Sequence, residues 1–222
     1  MTFSAIIFDM DGLLVDSEPV WYDVEVEMIE SKGYTFTDDV RDLLVGLRVD
    51  EFSEIIYKHY PKVAESPKAV AETVINNMLG VPPEKLQARL GADEIISYVA
   101  EQGIPCAIAS SSTHVIIEHF TKIRGWQDLI PQRYSAQFVK YGKPAPDIYL
   151  HAAQKLGIDP EKCLALEDSR AGTQAALAAG MTCYTVPDLS HSNVSDFDGI
   201  NDNIYASLVD VLDEIKSKRL FS

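Results

Sequence analysis

Four short, unbroken apolar runs punctuate the chain, and each ends abruptly. Ala5-Ile6-Ile7-Phe8 runs into Asp9-Met10-Asp11-Gly12, and Cys106-Ala107-Ile108-Ala109 runs into Ser110-Ser111-Ser112. Cys163-Leu164-Ala165-Leu166 runs into Glu167-Asp168-Ser169, and Thr182-Cys183-Tyr184-Thr185-Val186 runs into Pro187. Short continuous runs of this kind predict strands buried on both faces. Tyr134 to Phe138 is a weaker candidate strand. Between the runs the apolar period becomes helical. Ala92 to Gln102 carries Ile95, Ile96 and Val99 before Gly103, and Thr113 opens a stretch with Val115, Ile116, His119 and Phe120. Pro146 to Leu156 stops at Gly157, and Ser169 opens an Ala-rich stretch ending at Gly180. Alternation of this kind predicts an α/β fold with a doubly wound, mostly parallel, Rossmann-like sheet. Ligands of such sheets bind beyond the carboxyl ends of the strands, where the polar residues fall here.

One stretch breaks the alternation. From about Asp16 to about Val81 only helical patterns occur. Val20, Val24 and Met28 share one face before Gly33, and Thr37 opens a helix with Val40, Leu43 and Leu44, closed by Gly46. Asp50 opens another with Phe52, Ile55 and Ile56, and Ser66-Pro67 a last one with Val70, Val74 and Met78 before Gly80. The expected organisation is a core of residues 1–15 and 84–222 with a helical domain, 16–83, inserted after the first strand. Hinges are expected at Leu14 to Ser17 and at Val81-Pro82-Pro83.

The chain has 222 residues, 46% hydrophobic and 24% charged, enough for a real core and far from a disordered composition. Its formal net charge of −15 disfavours nucleic acid and anionic lipid as partners. An anionic ligand then needs a local positive centre. Cys106, Cys163 and Cys183 lie in apolar runs without metal-binding spacing, and read as small buried thiols. The N-terminus has no basic region and no long apolar run, so a cytoplasmic protein with no membrane partner is expected. A monomer is expected.

Asp9 and Asp11 end a buried run two residues apart. Carboxylates there are costly unless something offsets their charge, and oxygen donors of this kind suit Mg²⁺. Glu167 and Asp168 end another strand, Lys143 offers a cation and Ser110 a hydroxyl with loop amides. These are the parts of a phosphoryl-transfer site. An EF-hand is excluded, because a strand precedes Asp9 and no Glu stands at loop position twelve. Singly, a DxD pair, a lysine or a serine would read as a turn, a surface charge or a helix cap. The signal is their placement at the ends of several strands.

The set resembles the haloacid dehalogenase-like hydrolase superfamily. Four motifs carry the resemblance: Phe8-Asp9-Met10-Asp11-Gly12-Leu13-Leu14-Val15-Asp16-Ser17-Glu18-Pro19, Ile108-Ala109-Ser110-Ser111-Ser112, Tyr141-Gly142-Lys143-Pro144-Ala145-Pro146-Asp147-Ile148-Tyr149, and Leu166-Glu167-Asp168-Ser169-Arg170-Ala171-Gly172. The helical insert is similar to the small cap of the branch that holds β-phosphoglucomutase-like sugar phosphatases. The resemblance implies that Asp9 is the nucleophile, forming a phosphoaspartate, and that Asp11 is the general acid and base. It implies that Asp9, the backbone carbonyl of Asp11 and Asp168 hold Mg²⁺, with Glu167 in or just behind that shell. Ser110, Ser111 and Lys143 would bind the phosphoryl oxygens, and Arg48, in Gly46-Leu47-Arg48, would read the substrate from the cap. A dehalogenase proper is disfavoured, since it would have no acid at position 11.

The expected activity is Mg²⁺-dependent hydrolysis of a small phosphate ester, a sugar or polyol phosphate. The alternative is a phosphomutase with the same nucleophile. Trp21 stands where the mutases of the branch carry a His, and otherwise reads as core with Val20 and Val24. A phospho-accepting receiver domain shares an acidic pocket, a hydroxyl and a lysine, but its acceptor lies on a middle strand and it lacks the helical insert. His59, His119 and His151 read as structural or exposed, and His114 as a neighbour of the Ser110 loop. His191 lies in a polar loop, Leu189 to Gly199, that carries no further signal.

Overall fold

The computed structural model describes residues 2–190 and 192–221. Five strands form one sheet: β1 (Ala5–Phe8), β2 (Cys106–Ser110), β3 (Gln132–Ser135), β4 (Cys163–Glu167) and β5 (Thr182–Thr185). Their order is β3-β2-β1-β4-β5, and every neighbouring pair is parallel. The chain thus winds outward from β1 in both directions, so the order reverses at β1. Phe8 pairs with Ile108 on one side and Leu166 on the other. The residues that follow, Asp9, Ala109 and Glu167, therefore emerge level at one edge.

The sheet is covered on both faces, and the two faces differ in residue size. On one, Ile6, Phe8, Ile108, Leu164 and Leu166 pack against α5 (Ala92–Glu101), α6 (His114–Arg124) and α9 (Leu208–Lys218) through Ile95, Ile96, Phe120, Val211 and Ile215. On the other, Ala5, Ile7, Ala107, Ala109, Cys163, Ala165 and Cys183 meet α7 (Asp147–Leu156) and α8 (Arg170–Ala178). Small strand residues there let Tyr149 of α7 and the Ala175-Ala176 face of α8 lie close to the sheet. All three thiols are buried and reduced, and burial pushes Cys183 up to about 12, so they pack as inert apolar groups.

Four helices lie between β1 and α5: α1 (Glu18–Glu30), α2 (Asp38–Arg41), α3 (Val49–His59) and α4 (Pro67–Leu79). Pro19 and Pro67 stand in the first turns of α1 and α4, where a missing N–H costs nothing. Ser66 caps α4 by accepting from Ala69 N at 3.2 Å. Val20, Val24 and Met28 of α1 join Phe52 and Ile56 of α3 and Val70, Val74 and Met78 of α4 in a core continuous with that of the sheet. The connections into and out of this segment run side by side. Val15 bridges Ala88, Asp16 N donates to Gln87 O at 2.9 Å, and Arg89 N donates to Leu14 O at 2.9 Å.

Some elements differ from expectation. The helix expected from Thr37 to Gly46 closes after Arg41 and continues as turns. The strand expected at Tyr134 to Phe138 is Gln132–Ser135, followed by a 3₁₀ turn, Ala136–Phe138, because Ser135 Oγ accepts from Gln137 N and turns the chain. Helix α9 was not among the expected elements. No helix among the described residues is long and apolar enough to cross a membrane.

Candidate active site

The carboxyl edge of the sheet gathers acids around one lysine. Asp9 leaves β1 with its N–H held by Leu166 O at 2.9 Å, and its buried carboxylate accepts from Lys143 Nζ at 2.5 Å. The same ammonium donates to Glu167 Oε1 at 2.6 Å and lies 5.2 Å from the centre of the Tyr149 ring. Lys143 sits in the loop before α7, so this pair ties that loop to β1 and β4. Glu167 is fully engaged. Its Oε1 also accepts from Tyr149 OH at 2.5 Å, and its Oε2 accepts from Asp168 N at 3.1 Å, Ser169 N at 3.3 Å and Ser169 Oγ at 3.1 Å.

Two glycines make this closeness possible. Gly12 has φ +78°, a left-handed conformation, and a Cβ there would overlap Asp168 Oδ2. A Cβ at Gly172, in the first turn of α8, would overlap the Glu167 carboxylate. Ser169 holds that turn in register by accepting from Gly172 N at 3.1 Å.

Asp11 faces the other way, toward the helical segment, and is half-buried. Its Oδ1 accepts from Ser17 Oγ at 2.8 Å and from Trp21 Nε1 at 3.2 Å. Its Oδ2 accepts from Ser112 Oγ at 2.8 Å and Ser110 Oγ at 3.2 Å. Four donors from three segments thus fix one carboxylate. Ser110 Oγ in turn accepts from Ser112 N at 3.0 Å, which shapes the loop after β2. Ser111 lies in the wall of the cleft, and its buried hydroxyl has no protein partner among the described residues.

The electrostatics show what the site wants. Burial, then the charges of Glu167 and Asp11, lifts Asp9 to about 8 although Lys143 pulls the other way. Burial, then Asp9 and Glu167, pushes Asp168 well above the carboxylate range. Burial opposes the Lys143 charge, yet Asp9 and Glu167 together hold it above its usual range. One ammonium therefore cannot offset this many carboxylates. Asp9, Glu167 and Asp168 each offer an oxygen within 4.8 Å of the others. The Asp168 carboxylate accepts no hydrogen bond and forms no ion pair among the described residues. A buried, all-oxygen donor set in which one lysine is shared by two carboxylates and the third has no partner among the described residues fits a hard divalent cation such as Mg²⁺.

These groups form the floor of a cleft of about 790 Å³, counting the space open to solvent at its mouth. Its opposite wall comes from the helical segment: Glu18, Trp21, Tyr22 and Glu25 of α1, Arg41 of α2, and Leu44 to Leu47. Of the residues singled out in the sequence, Asp9, Asp11, Ser110, Ser111, Lys143 and Asp168 line the cleft, and Glu167 lies beneath it. Arg48 is placed elsewhere. Its guanidinium donates to Val139 O at 3.1 Å and Lys140 O at 3.4 Å and pairs with Asp50 at 2.7 Å, across the seam between the helical segment and the loop bearing Lys143. His114 Nε2 lies 3.8 Å from a Glu118 carboxylate oxygen on the surface of α6, and His191 lies outside the described residues. Ser112, Tyr149, Glu18, Glu25 and Arg41 join the site without having been singled out. Ser112, Tyr149 and Glu18 were visible inside the quoted motifs, whereas nothing local marks Glu25 among its acidic neighbours.

A family model of the haloacid dehalogenase-like hydrolases matches residues 3–180. The chain belongs to that family, and is a hydrolase with an α/β Rossmann-like core. Among its relatives is hexitol phosphatase B of Escherichia coli, 37% identical over 185 residues, covering 82% of this chain and 83% of the relative. A phosphorylated carbohydrates phosphatase of Thermotoga maritima is 30% identical over 178 residues, covering 80% and 82%. Among solved structures, CbbY of Rhodobacter sphaeroides in complex with phosphate superimposes with a TM-score of 0.78 at 25% identity, covering 95% of this chain and 96% of that one.

Proposed function

We propose that this protein is a Mg²⁺-dependent phosphatase acting on a small phosphorylated polyol or sugar through a phosphoaspartate on Asp9, with residues 16–83 acting as a cap over the leaving group. The observation that carries the reading is the pairing of two differently placed carboxylates. Asp9 is buried beside Lys143 and the Asp168 carboxylate, whereas Asp11 is held two residues on by four donors and faces the cap. A nucleophile and a proton carrier need such a division. The relatives named for phosphatases of hexitols and phosphorylated carbohydrates support the substrate class.

Asp9 attacks the phosphorus, and the ester P–O bond breaks as Asp11 delivers a proton to the leaving oxygen. Asp11, now ionised, takes a proton from water, which attacks the phosphorus and releases phosphate and free Asp9. Lys143 and the Ser110 to Ser112 loop hold the phosphoryl oxygens. When bound, Mg²⁺ held by Asp9, the Asp11 carbonyl and Asp168, with Glu167 behind, supplies the positive charge that lets an anionic ester approach an anionic nucleophile. The Trp21 indole on Asp11 supports water as acceptor, because it cannot titrate.

One incubation tests the reading: a hexitol monophosphate with Mg²⁺ and no bisphosphate, assayed separately for inorganic phosphate and for isomerised ester. Steady phosphate release that stops with chelator is expected. Accumulation of isomer, accelerated by bisphosphate and with phosphate near background, would make the protein a mutase.

A further inference from the structure

The cap wall of the cleft has an unusual charge for a protein that binds an anion. Glu18 and Glu25 stand two turns apart on α1, so they share a face, and both line the cleft. Opposite the floor, Arg41 is the sole basic residue of that wall among the described residues. Its guanidinium lies 4.5 Å from the centre of the Tyr22 ring, a face contact that fixes the plane of its N–H donors. Arg48 cannot help from its place, since backbone carbonyls and Asp50 occupy it. Glu25 is only 7% exposed and makes no hydrogen bond or ion pair among the described residues, although it borders the cleft. A buried polar group of that kind is costly unless a ligand completes it.

We propose that Glu18, Glu25 and Arg41 form a hydroxyl-reading wall that admits an uncharged polyol end and rejects a second phosphate or a carboxylate on the substrate. The inference rests on the phosphatase reading and narrows its substrate class to neutral-tailed monophosphates. Each glutamate offers hydroxyl acceptors, Arg41 offers donors, and Trp21 and Tyr22 supply flat apolar surface to the carbon chain. An anionic tail would meet two carboxyls and a single guanidinium. Burial raises Glu18 to about 7 and Glu25 to about 8, with Asp11 and Asp188 adding to the first, Glu18 adding to the second, and Arg41 opposing both. A carboxyl in either protonation state brings no positive charge to offset an anion. Discrimination of this kind comes from what the site fails to neutralise.

The test compares kcat/KM for phosphate release from glucitol 6-phosphate, glucitol 1,6-bisphosphate and 6-phosphogluconate, with Mg²⁺ present. The wild type is expected to favour the monophosphate by at least about tenfold over both anionic-tailed esters. In Glu25→Gln and in Glu18→Gln, tested separately so that one folding failure does not end the experiment, that preference is expected to shrink by about threefold or more. Equal turnover of the three esters by the wild type would overturn the inference, as would an unchanged preference in whichever variants fold. Phosphate release from none of them, nor from p-nitrophenyl phosphate, would remove the phosphatase reading and the inference with it.

Discussion

The chemistry at the residue scale turns on how differently two aspartates two positions apart are held. Asp9 continues the line of β1 into a packed, lysine-bound corner. Gly12 then turns the chain with a left-handed φ, which leaves Asp11 facing the helices. Trp21 is the part of this that the sequence hid. Its place among Val20 and Val24 reads as core, and its ring does pack 6.4 Å from Phe52, yet its N–H lands on Asp11. A hydrogen bond across elements leaves no mark in local periodicity. Trp21→Phe keeps the ring packing and removes that donor. Since hydrogen bonds to charged groups contribute about 1.5–3 kcal/mol, kcat is expected to fall roughly tenfold or more while KM changes little, measured by steady-state phosphate release. A rise in KM alone would instead mark Trp21 as a substrate contact.

At the scale of elements, the buried strands were the most legible, because a run apolar on both faces has few alternatives in a chain this polar. The edge strand β3 was legible only approximately. Its first three residues are half-buried, so nothing forces an apolar run, and Ser135 ends it early. Helix α9 carries Leu208, Val211, Leu212 and Ile215 on one face, a period that was available after the polar loop. Arg48 shows a limit of another kind: a lone cation beside a motif reads as substrate contact, but the fold uses it to clasp the seam. Arg48→Ala is therefore expected to lower kcat/KM about equally for a natural ester and a small aryl phosphate. A loss confined to the natural ester would return Arg48 to the substrate. Helix α1 also carries a pH signature. Glu25 rises from 4.5 to about 8 in the folded state, chiefly through burial, with Glu18 adding and Arg41 opposing. A raised carboxyl favours the fold fully below its unfolded value and loses that contribution as pH climbs through about 8. Relative to Glu25→Gln, the wild type should lose on the order of a few kcal/mol between pH 5 and 8, read from unfolding midpoints of the two proteins; parallel pH curves would contradict it.

For the whole molecule, the question is how a chain of net charge −15 handles an anionic substrate. The sheet answers by placing Lys143 and a converging set of carboxylates at the point where strand order reverses, where a divalent cation would complete the positive centre. The motifs made that floor legible, since they fall at strand ends. The wall from the helical segment was legible only at Glu18 and Trp21, since Glu25 and Arg41 come to it only through helix packing. Mg²⁺ should therefore raise the unfolding temperature of chelated protein, by an amount that grows with its concentration, and Asp168→Ala should remove that rise; an equal rise in the variant would place the ion elsewhere. The central claim is that Asp9 itself accepts the phosphoryl group, and the most direct measurement is phosphate release by Asp9→Asn at saturating hexitol monophosphate and Mg²⁺, alongside its circular dichroism. A wild-type spectrum with turnover lower by several orders of magnitude is expected. Release near the wild-type rate from a folded Asp9→Asn protein would contradict it.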